Sequence, residues 1–319
     1  MTEMRELSYV DAIIEGIAEE MVVDPKIFHM STEAPRRLQE EFGFPRVRQT
    51  PIAESALTGM AIGAAAGGYR PIVDWRLVTF CFVAMDQIVN QAAKIHYMFG
   101  GQTRFPLVFR TTVGGGTRRA AQHSQSPYSM FMQLTGLKLV LPSTPADAKG
   151  LIKTAIRDDN PVVFFEAGRL GGVKGPIPNG DVSIPFGKAD VKREGKDVTV
   201  VALAWMVHEA LAAAEELSKQ GIEVEVIDPR TLVPLDIETI RRSVFKTGRL
   251  VIADEAPAAA SVSADIAARI VEDAASFEAL KAPISRVTGL DAPIPYSPSL
   301  EDYVFPDRSR IIEAIRRIL

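Results

Sequence analysis

Short apolar runs rich in valine, isoleucine and phenylalanine alternate with stretches whose apolar residues recur every three or four positions. Pro71 to Trp75 (PIVDW), Pro106 to Thr111 (PLVFRT), Lys138 to Leu141 (KLVL) and Pro161 to Glu166 (PVVFFE) have the length and composition of buried strands. From Asp86 to Met98, Ile88, Val89, Ala92, Ile95 and Met98 fall at helical steps, and Ala146 to Arg157 follows the turn-forming Pro145 as another helix. After a Gly- and Pro-rich stretch from Gly171 to Gly187 the alternation resumes. Asp197 to Ala204, Ile222 to Asp228, Arg249 to Asp254 and Ile284 to Thr288 read as strands; Val207 to Gln220, Ser261 to Asp273 and Arg308 to Leu319 read as helices. The N-terminal MTEMRELSYVDAIIEG mixes acids with apolar residues, which predicts an amphipathic helix and not a signal peptide. Strand–helix alternation predicts parallel sheets with crossover helices. The expected organisation is an α/β domain over 1–180, a linker over 181–196 and a second α/β domain over 197–319.

Composition narrows the function classes. A chain of 319 residues suits two cores. Its net charge of -4 leaves no electrostatic footprint for nucleic acid. The single cysteine, Cys81, excludes an internal disulfide and any cysteine-cluster metal site, and points to a reducing compartment. No apolar run reaches the roughly 18 residues of a membrane span, so the expectation is a cytoplasmic protein that engages neither membrane nor nucleic acid.

Candidate chemistry lies in three places. Thr50-Pro51-Ile52-Ala53-Glu54 sets a carboxylate just after a Pro-initiated turn, and Gly59 to Gly68 follows with Ala or Gly at most positions. Small residues allow close approach of a ligand or another helix; the alternative is a helix-start acid favoured by the helix dipole. Ala121-Gln122-His123-Ser124-Gln125-Ser126 puts a histidine among amides and hydroxyls, a setting for acid–base chemistry or for a hydrogen-bonded loop. His29, His96 and His208 lack such a setting and read as structural. Gly114-Gly115-Gly116-Thr117-Arg118-Arg119 is either a phosphate cradle or a plain loop.

Taken together, several segments resemble one family. They are TPIAES at 50–55, MDQIVNQAAK at 85–94, AAQHSQS at 120–126, DAKGLIKTAIRDDNPVVFFE at 147–166 and VIDPRTLVPLD at 226–236, in family order across nearly the whole chain. This pattern is similar to the beta subunit of the thiamine-diphosphate-dependent first component of 2-oxo acid dehydrogenase complexes, of pyruvate, branched-chain or acetoin type. The resemblance implies a transketolase-type pyrimidine-binding domain followed by a transketolase C-terminal domain. It implies decarboxylation or cleavage of a 2-oxo acid or acyloin, with acyl transfer to a lipoyl acyltransferase. Two readings stand beside it: a stand-alone thiamine-diphosphate carboligase, decarboxylase or split transketolase without a lipoyl step, and a non-catalytic scaffold subunit.

By resemblance, Glu54 hydrogen-bonds the pyrimidine ring of thiamine diphosphate, Phe80 packs on that ring and Ile52 lines its pocket. His123 matches an active-site histidine that assists proton or acyl transfer. Asp158 and Asn160, with backbone carbonyls near Leu107, Val108 and Ala155, match a structural potassium site of some relatives, for which a loop hydrogen-bond network is the alternative. No Gly-Asp-Gly motif for diphosphate and magnesium occurs in the chain. The resemblance therefore implies an alpha subunit that holds most of both, in an alpha2-beta2 heterotetramer. The chain departs from the family pattern at Ile27 to Arg37 (IFHMSTEAPRR), a shorter loop, and at Arg76, Arg118 and Arg119, where relatives are mostly neutral. Those arginines imply a substrate with an extra anionic group; the alternative is that they pair with nearby acids.

Overall fold

A computed structural model describes residues 4–319, which divide into two compact units. The first runs to Val113 and takes up Met130–Phe186; the second comprises Gly114–Ser129 and Gly187–Leu319. Within the expected linker, Asp190–Arg193 forms an edge strand of the second unit.

In the first unit six parallel strands lie in the order Lys138–Val140, Val162–Ala167, Val108–Val113, Arg70–Leu77, Ile27–Ser31 and Val47–Gln49. A central parallel strand is covered on both faces, and Val162–Ala167 is buried at every position. Trp75 stacks on Phe109 across neighbouring strands at 4.6 Å between ring centroids. The predicted N-terminal helix is corrected. Residues 1–3 of that expectation lie outside the described residues, and Met4–Ser8 is a strand paired antiparallel with Lys174–Pro178. The helix starts only at Tyr9, where the Ser8 hydroxyl accepts the Asp11 N–H as an N-cap.

That helix, Tyr9–Val23, packs on the helix Pro145–Arg157 through a row of ions. Lys149 Nζ lies 2.7 Å from Glu15 and 2.6 Å from Glu19; Lys153 Nζ lies 2.5 Å from Glu19 and 2.7 Å from Asp181. Both lysine side chains are nearly fully buried, and at such sites each charge requires its partner.

The helix expected from Asp86 to Met98 is broken in two. Gln87–Ala92 is π-helical, closed by a bond from Ala93 N–H to the Ile88 carbonyl (3.0 Å), and Ile95–Met98 is a separate turn. The break coincides with a non-local contact: Gly136, at φ 108°, abuts the Ala93 carbonyl so closely that a Cβ there would sit 2.0 Å from the oxygen.

The second unit carries a sheet in the order Ser285–Gly289, Leu250–Pro257, Val198–Ala202, Val224–Asp228 and Asp190–Arg193, parallel except for the last strand. Val198, Val200 and Ala202 share one core cluster with Met206, Ala210, Ile311 and Ile315 from the helices Trp205–Ser218 and Arg308–Ile318. Thr199, between them in sequence, bonds Ser243 (2.6 Å) and Thr247 (2.7 Å) of the helix Ile237–Thr247. Alternation along the strand thus assigns one face to apolar packing and the other to a closed hydroxyl network.

Candidate active site

The first unit holds Glu54, Ile52, Phe80 and Arg76, and the second holds His123, Arg118 and Arg119. Glu54 is the first residue of the helix Glu54–Ala66. Its N-cap, Ala53, offers no side-chain bond, so the helix start has unsatisfied N–H groups and favours the adjacent acid. Glu54 is only 8% exposed, and among the described residues no hydrogen-bond or ion-pair partner for its carboxylate is found. A carboxylate with little exposure and no partner among the described residues is available to accept a hydrogen bond from a bound group. This fits a ligand that donates a hydrogen bond, as the pyrimidine end of thiamine diphosphate would.

The Ser55 hydroxyl donates to the Val83 carbonyl, and Trp75 Nε1 donates to Thr58 Oγ1 (3.0 Å). The first bond ties the helix bearing Glu54 to the 3₁₀ segment Val78–Ala84, which bears the half-buried Phe80, and the second ties it to the strand Arg70–Leu77. Ile52 is 82% exposed, and the same side of the helix leaves Ala56, Gly59, Met60 and Gly63 open.

Beside them, Arg110 is buried and donates to both oxygens of Glu166 (2.7 and 3.2 Å), with Asp74 at 3.7 Å and His29 Nε2 at 3.4 Å. Burial opposes the Arg110 charge, but Glu166 and Asp74 overcome it and raise its pKa. Burial, then the Arg110 charge, push His29 down to about 3, so it is neutral at physiological pH. This network lines a polar cavity of about 350 Å³ whose wall also includes Glu33 and Arg76. Arg76 is held in the left-handed region at φ 66°, its N–H on Asp74 Oδ1 (2.7 Å) and its guanidinium on Glu33 (2.6 Å).

The residues of the expected potassium set are engaged within the chain. Asp158 accepts from Lys138 Nζ and, through Oδ1, from the Asn160 N–H (2.8 Å) and Nδ2 (2.9 Å). The Leu107 carbonyl accepts from the Val162 N–H (3.0 Å), and the Asp158 carbonyl from Arg70 (3.0 Å). In this network Lys138 pairs with the Asp158 carboxylate, and Arg70 pairs with Asp159 (2.8 Å). Among the described residues there is no group of three or more His, Cys, Asp or Glu placed to hold a metal ion.

In the second unit His123 ends the short helix Ala120–His123 and is half-buried. Arg118 is paired with Glu301 (2.8 Å) and Asp302 (2.8 Å), whereas Arg119 is exposed and has no ion-pair partner among the described residues. Sequence reasoning missed the buried acids at the end of the strand Leu250–Pro257. Tyr128 donates to Asp254, and Ser126 donates to Glu255 (2.7 Å). Consecutive acids closing an apolar parallel strand were the available signal, because ligands gather at the carboxyl ends of such strands. Ser126, Glu255, Leu290, Ile294 and Phe305 line a cavity of about 340 Å³, together with Ser124, whose buried hydroxyl is without a partner among the described residues.

Burial raises the Asp254 pKa from 3.8 to about 7 against the pull of the Tyr128 hydroxyl and the Ala256 N–H, with the Glu255 charge adding to the rise. An acid whose folded pKa is raised contributes stability that is complete below its unfolded pKa and is lost as pH rises through the folded one. Asp254→Asn does not ionise. Its thermal midpoint should therefore gain on that of the parent between pH 5 and pH 8, by an amount that grows with pH. A difference independent of pH would show that Asp254 does not titrate in this window.

Residues 5–172 match the transketolase pyrimidine binding domain and residues 187–311 match the transketolase C-terminal domain. A split-gene transketolase solved as an inactive beta4 tetramer has the same fold, at TM-score 0.81 and 24% identity over 98% of both chains. These matches define the class as transketolase-like. Among curated relatives, the chain is 44% identical to the acetoin:2,6-dichlorophenolindophenol oxidoreductase subunit beta of Cupriavidus necator, over 99% of this chain and 98% of that one. It is 43% identical to the 2-oxoisovalerate dehydrogenase subunit beta of Bacillus subtilis over 99% of each chain. It is 45% identical to the pyruvate dehydrogenase E1 component subunit beta of Rickettsia bellii over 97% of each. The chain belongs to the family of beta subunits of the thiamine-diphosphate-dependent E1 components of 2-oxo acid and acetoin dehydrogenases, which are oxidoreductases. This full-length agreement favours that reading over a stand-alone carboligase, a split transketolase or a scaffold. Among the described residues no helix is long and apolar enough to cross a membrane.

Proposed function

We propose that this chain works with an alpha subunit to decarboxylate a 2-oxo acid, or cleave an acyloin, and to pass the acyl group to a lipoyl acyltransferase. The observation that carries the reading is Glu54, 8% exposed and with no carboxylate partner among the described residues, beside an exposed helix face of small residues. When bound, thiamine diphosphate supplies the carbon nucleophile and the electron sink. Glu54 orients the pyrimidine end by accepting its proton-bearing nitrogen, Phe80 and Ile52 pack against that end, and His123 holds or moves a proton near the acyl group. The open face at Ala56, Gly59, Met60 and Gly63 suits close packing of a partner chain, since small residues let backbones approach. That partner would bring the diphosphate and magnesium ligands in an alpha2-beta2 assembly.

With Arg76 on Glu33 and Arg118 on Glu301, the reading of an anionic substrate now rests on Arg119. The test is dye-linked oxidation of acetoin, pyruvate, 2-oxoisovalerate and a dicarboxylic 2-oxo acid by the reconstituted alpha–beta enzyme. Turnover should require both chains, and Arg119→Gln should reduce kcat/KM for the dicarboxylic acid selectively. Turnover by this chain alone would remove the partner reading. Equal effects of Arg119→Gln on all substrates would remove the anionic one.

A further inference from the structure

The segment Gly114–Ser129, which carries His123, folds with the C-terminal unit and not with the strand Val108–Val113 that leads into it. Four kinds of contact hold it there. Glu301, with a fully buried side chain, accepts the Gly116 N–H through Oε1 (2.7 Å) and Arg118 through Oε2 (2.8 Å). Glu255, 4% exposed, accepts from the Ser126 hydroxyl at 2.7 Å, and Asp254, fully buried, accepts from the Tyr128 hydroxyl. Arg118 also donates to the Pro298 carbonyl (2.9 Å) and to Asp302 (3.0 Å). Lastly, the segment lies against the unit at van der Waals limits. A Cβ on Gly114 would be 2.2 Å from Glu255 Oε1, and one on Gly115 would be 2.0 Å from Phe305 Cε2.

The attachment brackets the histidine on both sides. The Gly114 N–H donates to the Gln125 carbonyl (3.0 Å), which closes the loop ends on each other. Arg118, two residues before the short helix that ends in His123, and Ala120, the first residue of that helix, are both held at φ 60°. Such conformations are unfavourable for L-residues and persist where surrounding contacts over-determine them. Here those contacts are the two oxygens of Glu301 ahead of the histidine and the acids Asp254 and Glu255 after it.

We propose that Glu255 and Glu301 are positioning residues that place His123 from the C-terminal unit, with Asp254 as a third anchor through Tyr128. Because the inference rests on the reading of His123 as an active-site group, its test includes a His123 variant. The measurement is steady-state kinetics of the reconstituted alpha–beta enzyme carrying Ser126→Ala, Ser126→Thr, His123→Ala and the Ser126→Ala/His123→Ala pair. Ser126→Ala removes the hydroxyl that donates to Glu255 and leaves the histidine side chain in place. It should lower kcat by about 10²-fold or somewhat less, the scale of a misplaced reacting group, with KM for the 2-oxo acid unchanged. Ser126→Thr, which keeps the hydroxyl, should restore kcat. In the His123→Ala background the loss from Ser126→Ala should vanish, because residues acting through one group are non-additive. An equal loss in both backgrounds would make Ser126 merely structural and overturn the proposal. Full activity of Ser126→Ala beside an impaired His123→Ala would overturn it as well, while leaving the histidine's own role intact. Full activity of His123→Ala would instead end the reading of His123 itself, and this inference with it. If Ser126→Ala fails to fold, Tyr128→Phe, which removes only the hydroxyl bonded to Asp254, decides by the same criteria.

Discussion

Replacing Glu54 with glutamine is expected to slow turnover of the alpha–beta enzyme by about 10²-fold or more, the scale of a positioned acid–base group, and to lower the thermal midpoint only slightly. The carboxylate is 8% exposed, starts a helix whose N–H groups lack a side-chain cap, and has no partner among the described residues. Its replacement breaks no side-chain bond among the described residues and forfeits only the helix-dipole interaction, about 0.3–1 kcal/mol, so the fold should hold. Glutamine keeps the volume and one acceptor oxygen but removes the charge. A hydrogen bond to a charged acceptor in a water-poor site is roughly twice as strong as its neutral counterpart, and that difference is what the substitution takes away. The discriminating measurement is hydrogen–deuterium exchange at the thiazolium carbon of the cofactor in the reconstituted enzyme. Exchange as fast as in the parent would remove Glu54 from the chemistry, even if turnover fell for another reason.

Calorimetric titration of this chain alone with thiamine diphosphate and magnesium is expected to show no micromolar binding, and addition of the alpha subunit is expected to produce it. The diphosphate end is anionic, and magnesium requires a near-octahedral set of oxygens. The chain has no Gly-Asp-Gly motif, and among the described residues no cluster of metal-ligating side chains is found. What remains is the pyrimidine end. One hydrogen bond contributes about 1 kcal/mol net, and an aromatic contact is of similar scale, roughly 1 kcal/mol. Micromolar affinity requires about 8 kcal/mol. The shortfall is large enough that uncertainty in either contribution does not close it. Micromolar binding by the isolated chain would refute the half-site reading and direct attention to the Gly114–Gly116 loop as an unrecognised diphosphate site.

Much of the fold was legible from local pattern. The runs PIVDW and PVVFFE are buried parallel strands, because side chains of that size and branching bury themselves on both faces of a sheet whatever the neighbours are. Pro145 opens a helix where its fixed φ suits the first turn, and Thr144 caps it. The apolar spacing from Asp86 to Met98 is truly helical, while the break falls where Gly136, more than forty residues away, packs against the Ala93 carbonyl, a contact that local spacing does not carry. The short strands Met4–Ser8 and Asp190–Arg193 were hidden for a related reason. Each is an edge strand with little burial of its own and is defined by the partner it pairs with.

The candidate site divides along the same line. The sequence by itself determined the family, through ordered motifs that include Glu54, Phe80 and His123, and it located most of the central strands of both units. Those are properties of neighbouring residues and their spacing. Only the tertiary structure decided that Arg76 faces Glu33 and Arg118 faces Glu301, so that two of three unusual cations are already neutralised. Only the tertiary structure showed His29 made neutral beside a buried Arg110–Glu166 pair, and Asp254 carried to about 7. It alone assigned the segment Gly114–Ser129 to the C-terminal unit, where Glu255 and Glu301 reach it from more than a hundred residues along the chain. The physical reason is that charge pairing and desolvation depend on distance and burial in space, and neither quantity is carried by the order of residues along the chain.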